Sequence, residues 1–316
     1  MKISELGERK VLELLKQFID ANELHIDDDA VAYKMGNKYI IINIDTIIGR
    51  MDILPGTTPY QIGMKTVTMT TSDIVAKGGK PIFFLTSIGV NRNTQISFLQ
   101  EIERGIKETC EKYNMKFFGG DLNESDDLVI SGVTVGVTDK IISRKGASQN
   151  ETVWVTGPFG YSGAAFHYLL NEGDATPKLK EIIRKTIEKE LTVKDGTIIK
   201  NIATSSMDSS DGLAITLNTL SEINNIRIDI DYLPIPDCVK EYAKENGLNP
   251  EELALYAGEE FEVVFTSNKP DDEIIQRFKE NNLPVPIKIG KTKEGKGVYY
   301  KGVKVEARGW EHFKSK

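Results

Sequence analysis

The sequence predicts an α/β (α+β) protein of two domains, and three observations lead to this prediction. A chain of 316 residues is longer than one hydrophobic core usually organises. Short β-branched runs alternate with longer amphipathic patterns along the chain. The alternation breaks once, at the polar, glycine-containing stretch 139–151, and then restarts. We therefore predict an N-terminal domain at 1–140 and a C-terminal α/β domain at 148–316.

The first half opens with the charged amphipathic helix pattern MKISELGERKVLELLKQF. The elements predicted after it are a strand at 38–46, a helix at 58–79, a strand at 81–90, a helix at 94–113, and strands at 116–120 and 127–138. Gly78 and Gly79 are typical of a helix C-terminus and end the helix at 58–79. Because the last two strands are close in sequence, we predict that they form a hairpin.

The second half continues the alternation. Its predicted elements are a strand at 152–157, a helix from about Tyr161, a helix after Asp211, a strand at 227–233, helices around 237–257, a strand at 261–265, a helix at 271–281, a strand at 286–290 and a hairpin at 294–305. The run TSS at 204–206 is typical of a turn.

Composition excludes several classes of function. The formal net charge of −7 argues against nucleic acid or an acidic membrane surface as the main partner. Two cysteines, neither in a C-x-x-C pair, predict neither a disulfide framework nor a zinc site. The start is too charged for a secretion signal, and no apolar run approaches the roughly 18 residues of a membrane span. We expect a cytoplasmic protein.

Familiar catalytic patterns are also missing. The three histidines are widely spaced, and no G-x-S-x-G elbow occurs. IGKT at 289–292 ends like a P-loop, but Val285 stands where that motif needs glycine, so we interpret it as a strand-end turn. GPFGYSG at 157–163 is either a phosphate cradle of backbone N–H groups or an ordinary glycine-rich turn.

The remaining chemistry lies in acids at the ends of predicted elements. They are the run DDD at 27–29, Asp45, Asp73, Asp121, Asp208, Asp211, Glu259 and Glu260. Asp45 and Asp121 directly follow apolar strands, where a carboxylate is costly unless it is paired or metal-bound. Any one of these acids, including those of MDSSDGL at 207–213, is also typical of a helix cap or turn. Together they are the all-oxygen ligand set that Mg²⁺ prefers, which predicts a phosphoryl-transfer site.

The order of these motifs resembles a known family. IDDDA, NIDT, TTSDIVAKGGKP, FFGGDLN, VTGPFG, MDSSDGL, AGEEFEVVF, a late IGK and the terminal GWEHF resemble thiamine-monophosphate kinases. That family belongs to the superfamily of aminoimidazole ribonucleotide synthetase, selenophosphate synthetase and a hydrogenase maturation factor. The resemblance spans residues from about 5 to 313. SDGL is shared across the superfamily, whereas AGEEFEVVF and GWEHF resemble the kinase branch.

The resemblance implies a fold and a reaction. The N-terminal domain would form a dimeric β-barrel with flanking helices, and the active site would lie in the cleft against the C-terminal α/β domain. The reaction would be direct in-line transfer of the γ-phosphate of ATP to thiamine monophosphate, assisted by several Mg²⁺ ions, in a homodimer. An ionised acceptor phosphate would need no general base from the protein. The number of metal ions and a requirement for K⁺ stay open.

The resemblance also assigns residues. The metal-binding positions are Asp29, Asn43, Asp45, Asp73, Asp121, Asp208 and Asp211. The ATP-contacting positions are Gly120, Asp121, Arg144 and Ser210. The substrate positions are Asp52, Glu259 and Trp310, whose ring would stack on the cationic thiazolium or on the pyrimidine.

Some positions depart from the family pattern. Asp27 replaces a glycine, which leaves open whether Asp27, Asp28 or Asp29 binds metal. Asp52 stands in place of the usual histidine, and Glu260 replaces an aspartate. Two other functions remain as alternatives. One is another ATP-dependent member of the superfamily, such as aminoimidazole ribonucleotide synthetase, and the other is a nucleotide-binding regulatory protein without turnover.

Overall fold

The computed structural model describes residues 2–24, 28–171, 177–310 and 312–313. They form a mixed α/β fold with twelve α-helices and two β-sheets, one of five strands and one of seven. The five-stranded sheet is built from the first half of the chain and the seven-stranded sheet from the second. No helix among the described residues is both long enough and apolar enough to cross a membrane.

The first sheet has the spatial order β1-β2-β5-β3-β4. Its strands are β1 (Val31–Met35), β2 (Lys38–Ile48), β3 (Lys80–Val90), β4 (Lys116–Glu124) and β5 (Val129–Thr138). Two of them run on through the acids predicted to follow a strand, because Asp45 lies within β2 and Asp121 within β4. Asp45 already lies within the strand predicted at 38–46, whereas the predicted end of the strand at Gly120, just before Asp121, is wrong because β4 continues to Glu124.

The predicted hairpin of the last two strands is also wrong. Strand β4 pairs in parallel with β3 at the sheet edge, while β5 lies between β2 and β3 and is antiparallel to both. The parallel pairing follows from the intervening helix, because a parallel neighbour needs a crossover connection. Proximity in sequence was the wrong guide to pairing here.

Helices preceding and following β3 cover one face of this sheet. They are α4 (Pro59–Ala76) and α5 (Ile96–Lys112), and the short helices α1 (Ile3–Leu6), α2 (Glu8–Leu15) and α3 (Gly49–Asp52) come before them. Thr58 caps α4 in a capping box: its side chain accepts a hydrogen bond from Gln61 N, and the Gln61 side chain accepts one from Thr58 N. Helices α4 and α5 approach so closely at Gly63 that a Cβ there would lie 2.1 Å from the Ile102 carbonyl oxygen.

The second sheet has the spatial order β12-β11-β8-β10-β6-β9-β7. Its strands are β6 (Thr152–Val155), β7 (Ser205–Asp208), β8 (Arg227–Ile230), β9 (Val263–Ser267), β10 (Ile287–Lys293), β11 (Gly297–Tyr300) and β12 (Val303–Val305). The run at 204–206, predicted to be a turn, instead leads into the buried edge strand β7, which pairs with β9. The IGKT run lies inside β10 rather than at its end.

Helices of the second half are α6 (Tyr161–Asn171), α7 (Pro177–Ile187), α8 (Asp195–Ile202), α9 (Leu213–Asn224), α10 (Asp237–Glu245), α11 (Pro250–Tyr256) and α12 (Asp271–Glu280). Helix α9 begins at Leu213, with Gly212 as N-cap and no side-chain capping bond. The alternative that an acid or serine of MDSSDGL caps this helix is therefore wrong, and Asp208 ends β7. Helix α4 contacts α8, β7 and β9, which joins the two halves.

Candidate active site

Three carboxylates converge where the two halves meet. Asp29 precedes β1, Asp73 lies on α4 and Asp208 ends β7. Each offers one oxygen, and the three oxygens lie within 4.8 Å of one another. Asp208 is 2% exposed and Asp73 9% exposed, so the group is almost closed to solvent. We call these three residues the aspartate triad.

Polar side chains on neighbouring elements hold the triad in place. Asn43 Nδ2 donates to Asp45 Oδ2 at 2.8 Å and also to Asp73 Oδ2. Ser72 Oγ donates to Asp208 Oδ2 at 2.8 Å. Asn43 and Asp45 come from β2, so two predicted metal-site residues adjoin the triad directly.

Burial makes the triad electrostatically expensive. Loss of solvent raises the pKa of Asp73 well above its ordinary value, and the neighbouring Asp208 and Asp45 carboxylates raise it further. Burial, and then the charge of Asp29, raises the pKa of Asp208 to about 7. A multivalent cation would relieve this repulsion, and the all-oxygen donor set suits Mg²⁺. The residues present therefore fit the predicted metal.

Two cations lie at one side of the triad. Lys77 follows α4 and is completely buried, and its ammonium contacts Asp28, lies 2.6 Å from Asp29 Oδ2 and donates to Ser206 O at 2.7 Å. Arg144, in the segment that joins the two sheets, donates from Nε to Asp29 Oδ1 at 2.8 Å. Arg144, which the family resemblance predicts to contact ATP, thus lies beside the triad.

The structure separates the roles of the aspartates at 27–29. Protein hydrogen-bond donors already surround the Asp28 carboxylate. Besides Lys77, it accepts from Ser143 Oγ at 2.6 Å and from Arg144 N at 3.0 Å. Burial alone would raise the pKa of Asp28, but Lys77, the Ser143 hydrogen bond and Arg144 together outweigh burial, and the pKa is lowered. Asp29 is the member that reaches the triad. Asp27 lies outside the described residues.

Asp211, Ser210 and Trp310 lie beyond the triad. Trp310 N donates to Asp211 O at 3.1 Å, and Arg9 Nη2 of α2 lies 3.9 Å from Asp211 Oδ2. Ser210 O accepts from Glu259 N at 2.6 Å, which ties the SSDG turn to a predicted substrate residue. Trp310 is 37% exposed.

Gly120 and Asp121 lie apart from the triad. Across the sheet, Asp121 of β4 lies opposite Ser87 of β3, which lies opposite Ser131 of β5, which in turn lies opposite Thr46 of β2. Three strand spacings therefore separate the backbones of Asp121 and Thr46 by about 14 Å. Within one chain, the structure therefore does not bring Asp121 to the other predicted metal ligands. A Cβ on Gly120 would lie 1.4 Å from the Thr86 carbonyl oxygen, so only glycine fits there.

An open cavity of about 400 Å³ lies beside Gly120. Its lining residues are Thr86, Ile88, Ile96, Leu99, Gln100, Glu103, Gly120, Asp121 and Leu122. The walls are largely aliphatic with a few polar groups, as is typical of a small-molecule site.

Asp52 and Glu259 line a second, smaller cavity together with Lys65. Asp52 Oδ2 accepts from Ile48 N at 2.7 Å. Lys65 Nζ lies 2.5 Å from Glu259 Oε1 and donates to Asp52 O at 2.8 Å. Glu259 has a φ of +67°, a strained value for a non-glycine residue, in a segment that packs on the SSDG turn.

The glycine-rich run at 157–163 is not an open phosphate cradle. Glu260 Oε1 accepts from Gly160 N at 2.7 Å, and from Ser162 N and Ser162 Oγ at 3.0 Å each. A protein carboxylate thus already fills the anion position at the start of α6. The glycine-rich-turn interpretation holds instead.

Two functional candidates were missed from the sequence, Lys65 and Lys77. Lysines within helices usually extend into solvent, so neither gave a signal by composition or spacing.

Comparison with known proteins places the chain in context. Residues 27–138 match the family model of AIR synthase related protein, N-terminal domain. Thiamine-monophosphate kinase of Pyrococcus abyssi is 35% identical, with 95% of this chain and 94% of that protein aligned. The same-named protein of Aquifex aeolicus is 30% identical over 99% of this chain and 100% of its own length. A solved structure, AaThiL complexed with AMPPCP and TMP, matches with a TM-score of 0.90 and 30% identity over 99% of both chains.

The raised pKa of Asp208 predicts pH-dependent metal stabilisation. An acid whose pKa is higher in the folded than in the unfolded protein stabilises the fold at low pH, and this contribution is lost as pH rises through about 7. Without divalent cations, we expect the melting temperature to fall from pH 6 to pH 8. Mg²⁺ should raise it more at pH 8, because the ionised carboxylates bind the ion.

Differential scanning fluorimetry with and without MgCl₂ measures this difference. Asp208→Asn should reduce the pH dependence of the melting temperature and the pH dependence of its increase by Mg²⁺. An equal Mg²⁺ effect at pH 6 and pH 8 in the unmutated protein would contradict ionisation-linked binding.

Removal of the Lys77 ammonium should destabilise the fold strongly. Lys77→Met leaves Asp28 and Asp29 buried without that partner, a change that typically costs about 3–5 kcal/mol. Urea unfolding gives the free energy directly. Lys80→Met is the matched control, since Lys80 is exposed at the start of β3 and should change stability little. Equal stability of the two variants would show that Lys77 is dispensable.

Proposed function

This chain belongs to the thiamine-monophosphate kinase family, and we propose that it transfers the γ-phosphate of ATP to thiamine monophosphate, giving thiamine diphosphate. The observation that carries the proposal is the aspartate triad, contributed by both halves of the chain. The solved structure of AaThiL with AMPPCP and TMP supports both substrates, since AMPPCP is an ATP analogue.

We assign the nucleotide to the region between Gly120 and Arg144. The cavity beside Gly120 offers the aliphatic side chains of Ile88, Ile96 and Leu99 to a flat base. Arg144, with its guanidinium beside the triad, would add positive charge to the phosphates. Ser210, in the turn that follows β7, would contact the nucleotide from the second half.

The positive charge needed to offset the charge that develops during transfer would be supplied by several bound Mg²⁺ ions. Asp29, Asp73 and Asp208 would hold them, and Asn43 would orient Asp45 and Asp73 through its amide. We extend this metal set to Asp121 and Asp211, which lie outside the triad, on the family resemblance alone. The chain needs no general base because the attacking oxygen belongs to an ionised phosphate. The protein contributes in-line alignment and a cleft closed to water.

The second substrate would bind at the cavity lined by Asp52 and Glu259, whose volume of about 20 Å³ means that these side chains would move apart to admit it. Both side chains carry carboxylates, which suit the cationic ring of thiamine monophosphate. Trp310 is held near the same turn through Asp211 and would cover the ring by stacking. The roles of these three residues are part of the proposal.

We also propose that the enzyme is a cytoplasmic homodimer whose first sheets close into a barrel. Large apolar side chains are exposed on the face of that sheet opposite α4 and α5. They include Val31 at 50%, Tyr33 at 69%, Ile42 at 36% and Ile44 at 63%. The register places Val31 opposite Ile42 on the same face. An apolar face of this kind is typical of a protein interface, and a second copy is the partner that the family resemblance implies.

An assay with purified protein tests the function. ATP, Mg²⁺ and thiamine monophosphate should yield ADP and thiamine diphosphate in equal amounts. Asp208→Asn should lower kcat about 10²-fold or more, since it removes a carboxylate that would hold Mg²⁺ beside the transferred phosphate. Asp272→Asn, an exposed change on α12, is the control.

Failure to form thiamine diphosphate would overturn the proposal. Turnover of formylglycinamidine ribonucleotide instead would favour aminoimidazole ribonucleotide synthetase activity. Binding of ATP without turnover of either substrate would indicate a regulatory protein.

A charge on the exposed sheet face should prevent dimer formation. Ile44→Glu places a carboxylate at the centre of the proposed interface, where burial of an unpaired charge is costly. Light scattering should show a dimer for the unmutated protein and a monomer for this variant. Val303→Glu alters an equally exposed residue of β12 and should stay dimeric. A dimeric Ile44→Glu protein would exclude this face.

A further inference from the structure

Lys65 is the one cationic side chain among the described residues that line the Asp52–Glu259 cavity. Aliphatic side chains, including Ile47, Ile53 and Ile62, form much of the lining. Because Lys65 is only 17% exposed, its ammonium is held inside the cavity wall rather than extended into solvent. A positive charge in this position needs a partner.

The partner of Lys65 comes from the other half of the chain. Lys65 lies on α4, and Glu259 lies in the segment that follows α11. Their 2.5 Å ion pair crosses the cavity, and the Asp52 carbonyl accepts a second Lys65 proton at 2.8 Å. Glu259, proposed above to bind the cationic ring of the substrate, is therefore already paired with a protein cation.

Helix α4 carries both Lys65 and Asp73, a member of the aspartate triad. The residues of α4 that line the cavity are Gln61, Ile62 and Lys65, and Ser72 and Asp73 follow farther along the same helix. A rise of 1.5 Å per residue places Lys65 about 12 Å from Asp73 along the helix axis. Lys65 is thus the cavity residue of α4 that lies nearest to the triad, the side from which a phosphate would be transferred.

We propose that the Lys65–Glu259 pair is exchanged for two ion pairs with the substrate. The ammonium of Lys65 binds the acceptor phosphate, and the carboxylate of Glu259 binds the cationic ring. This inference rests on the proposed function, and it makes Lys65 the residue that selects a phosphate ester. A lysine is a suitable ligand because its flexible stem lets the ammonium move between two anions.

Charge balance explains why this exchange would favour a phosphorylated ligand over an unphosphorylated one. A substrate that carries both a cation and an anion satisfies both members of the opened pair. A cationic ligand without a phosphate takes Glu259 and leaves Lys65 unpaired in a half-buried site, which costs binding free energy. The pair therefore selects against the unphosphorylated form of the same molecule.

Binding measurements test this without turnover. Calorimetry gives Kd for thiamine monophosphate and for thiamine, and the ratio of the two constants measures the selection for phosphate. Lys65→Met should lower that ratio at least about tenfold, mainly through weaker binding of the monophosphate, since a hydrogen bond to a charged group is lost. Lys65→Arg should retain most of the ratio.

Two controls separate this role from others. Glu259→Gln should weaken both ligands alike and preserve the ratio, because it removes the contact to the shared ring. Lys107→Met, on the exposed face of α5, should change neither constant.

An unchanged ratio in Lys65→Met would overturn the proposal, even if both ligands bind more weakly, because Lys65 would then only support Glu259. Circular dichroism and melting temperature confirm that the variant is folded, and Lys65→Gln serves if the methionine variant is not. Failure of the proposed function would appear in the unmutated protein, as the absence of thiamine diphosphate.

Discussion

Mutual repulsion among buried carboxylates is the constraint on which the cleft depends. Asp29, Asp73 and Asp208 approach within 4.8 Å and come from a loop, a helix and a strand of different halves. The fold can bring them together only because Lys77 and Arg144 offset part of the charge from one side. The other side is left electrostatically unbalanced, and this imbalance is the physical reason for proposing a multivalent cation there.

Helix α4 organises both ends of this cleft. Its first turns line the cavity of Asp52 and Glu259, its last turn carries Ser72 and Asp73, and Lys77 follows directly. The helix is buried along most of its length, so it cannot shift without disturbing the contacts of both sheets. A rigid element therefore sets the distance between the proposed metal site and the proposed acceptor site, as alignment of two phosphates requires.

The sequence pointed to the carboxylates of the candidate site and to Arg144, but not to the lysine counter-charges. An acid such as Asp45 beside an apolar strand is visible because it is costly there, whereas Lys65 in a helix is expected to extend into solvent. The α/β fold class was predictable from the alternation of strand and helix patterns, but the pairing of β4 was not. The helix before β4 favours parallel pairing with β3, whereas the short loop after it favours a hairpin with β5, and the sequence does not decide between them. Asp28 and Asp29 are indistinguishable by spacing, and only tertiary contacts separate them.

Lys77 and Lys65 both form ion pairs with carboxylates, but they differ in burial. Lys77 is completely buried and its ammonium is saturated by Asp28, Asp29 and the Ser206 carbonyl, so its charge is fixed as part of the scaffold. Lys65 and Glu259 are 17% and 31% exposed, and water screens their attraction, so a ligand can compete for either member. Burial thus decides which positive charge stabilises the apo cleft and which is free to be exchanged. A cleft that binds a highly charged nucleotide beside a zwitterionic acceptor requires both kinds.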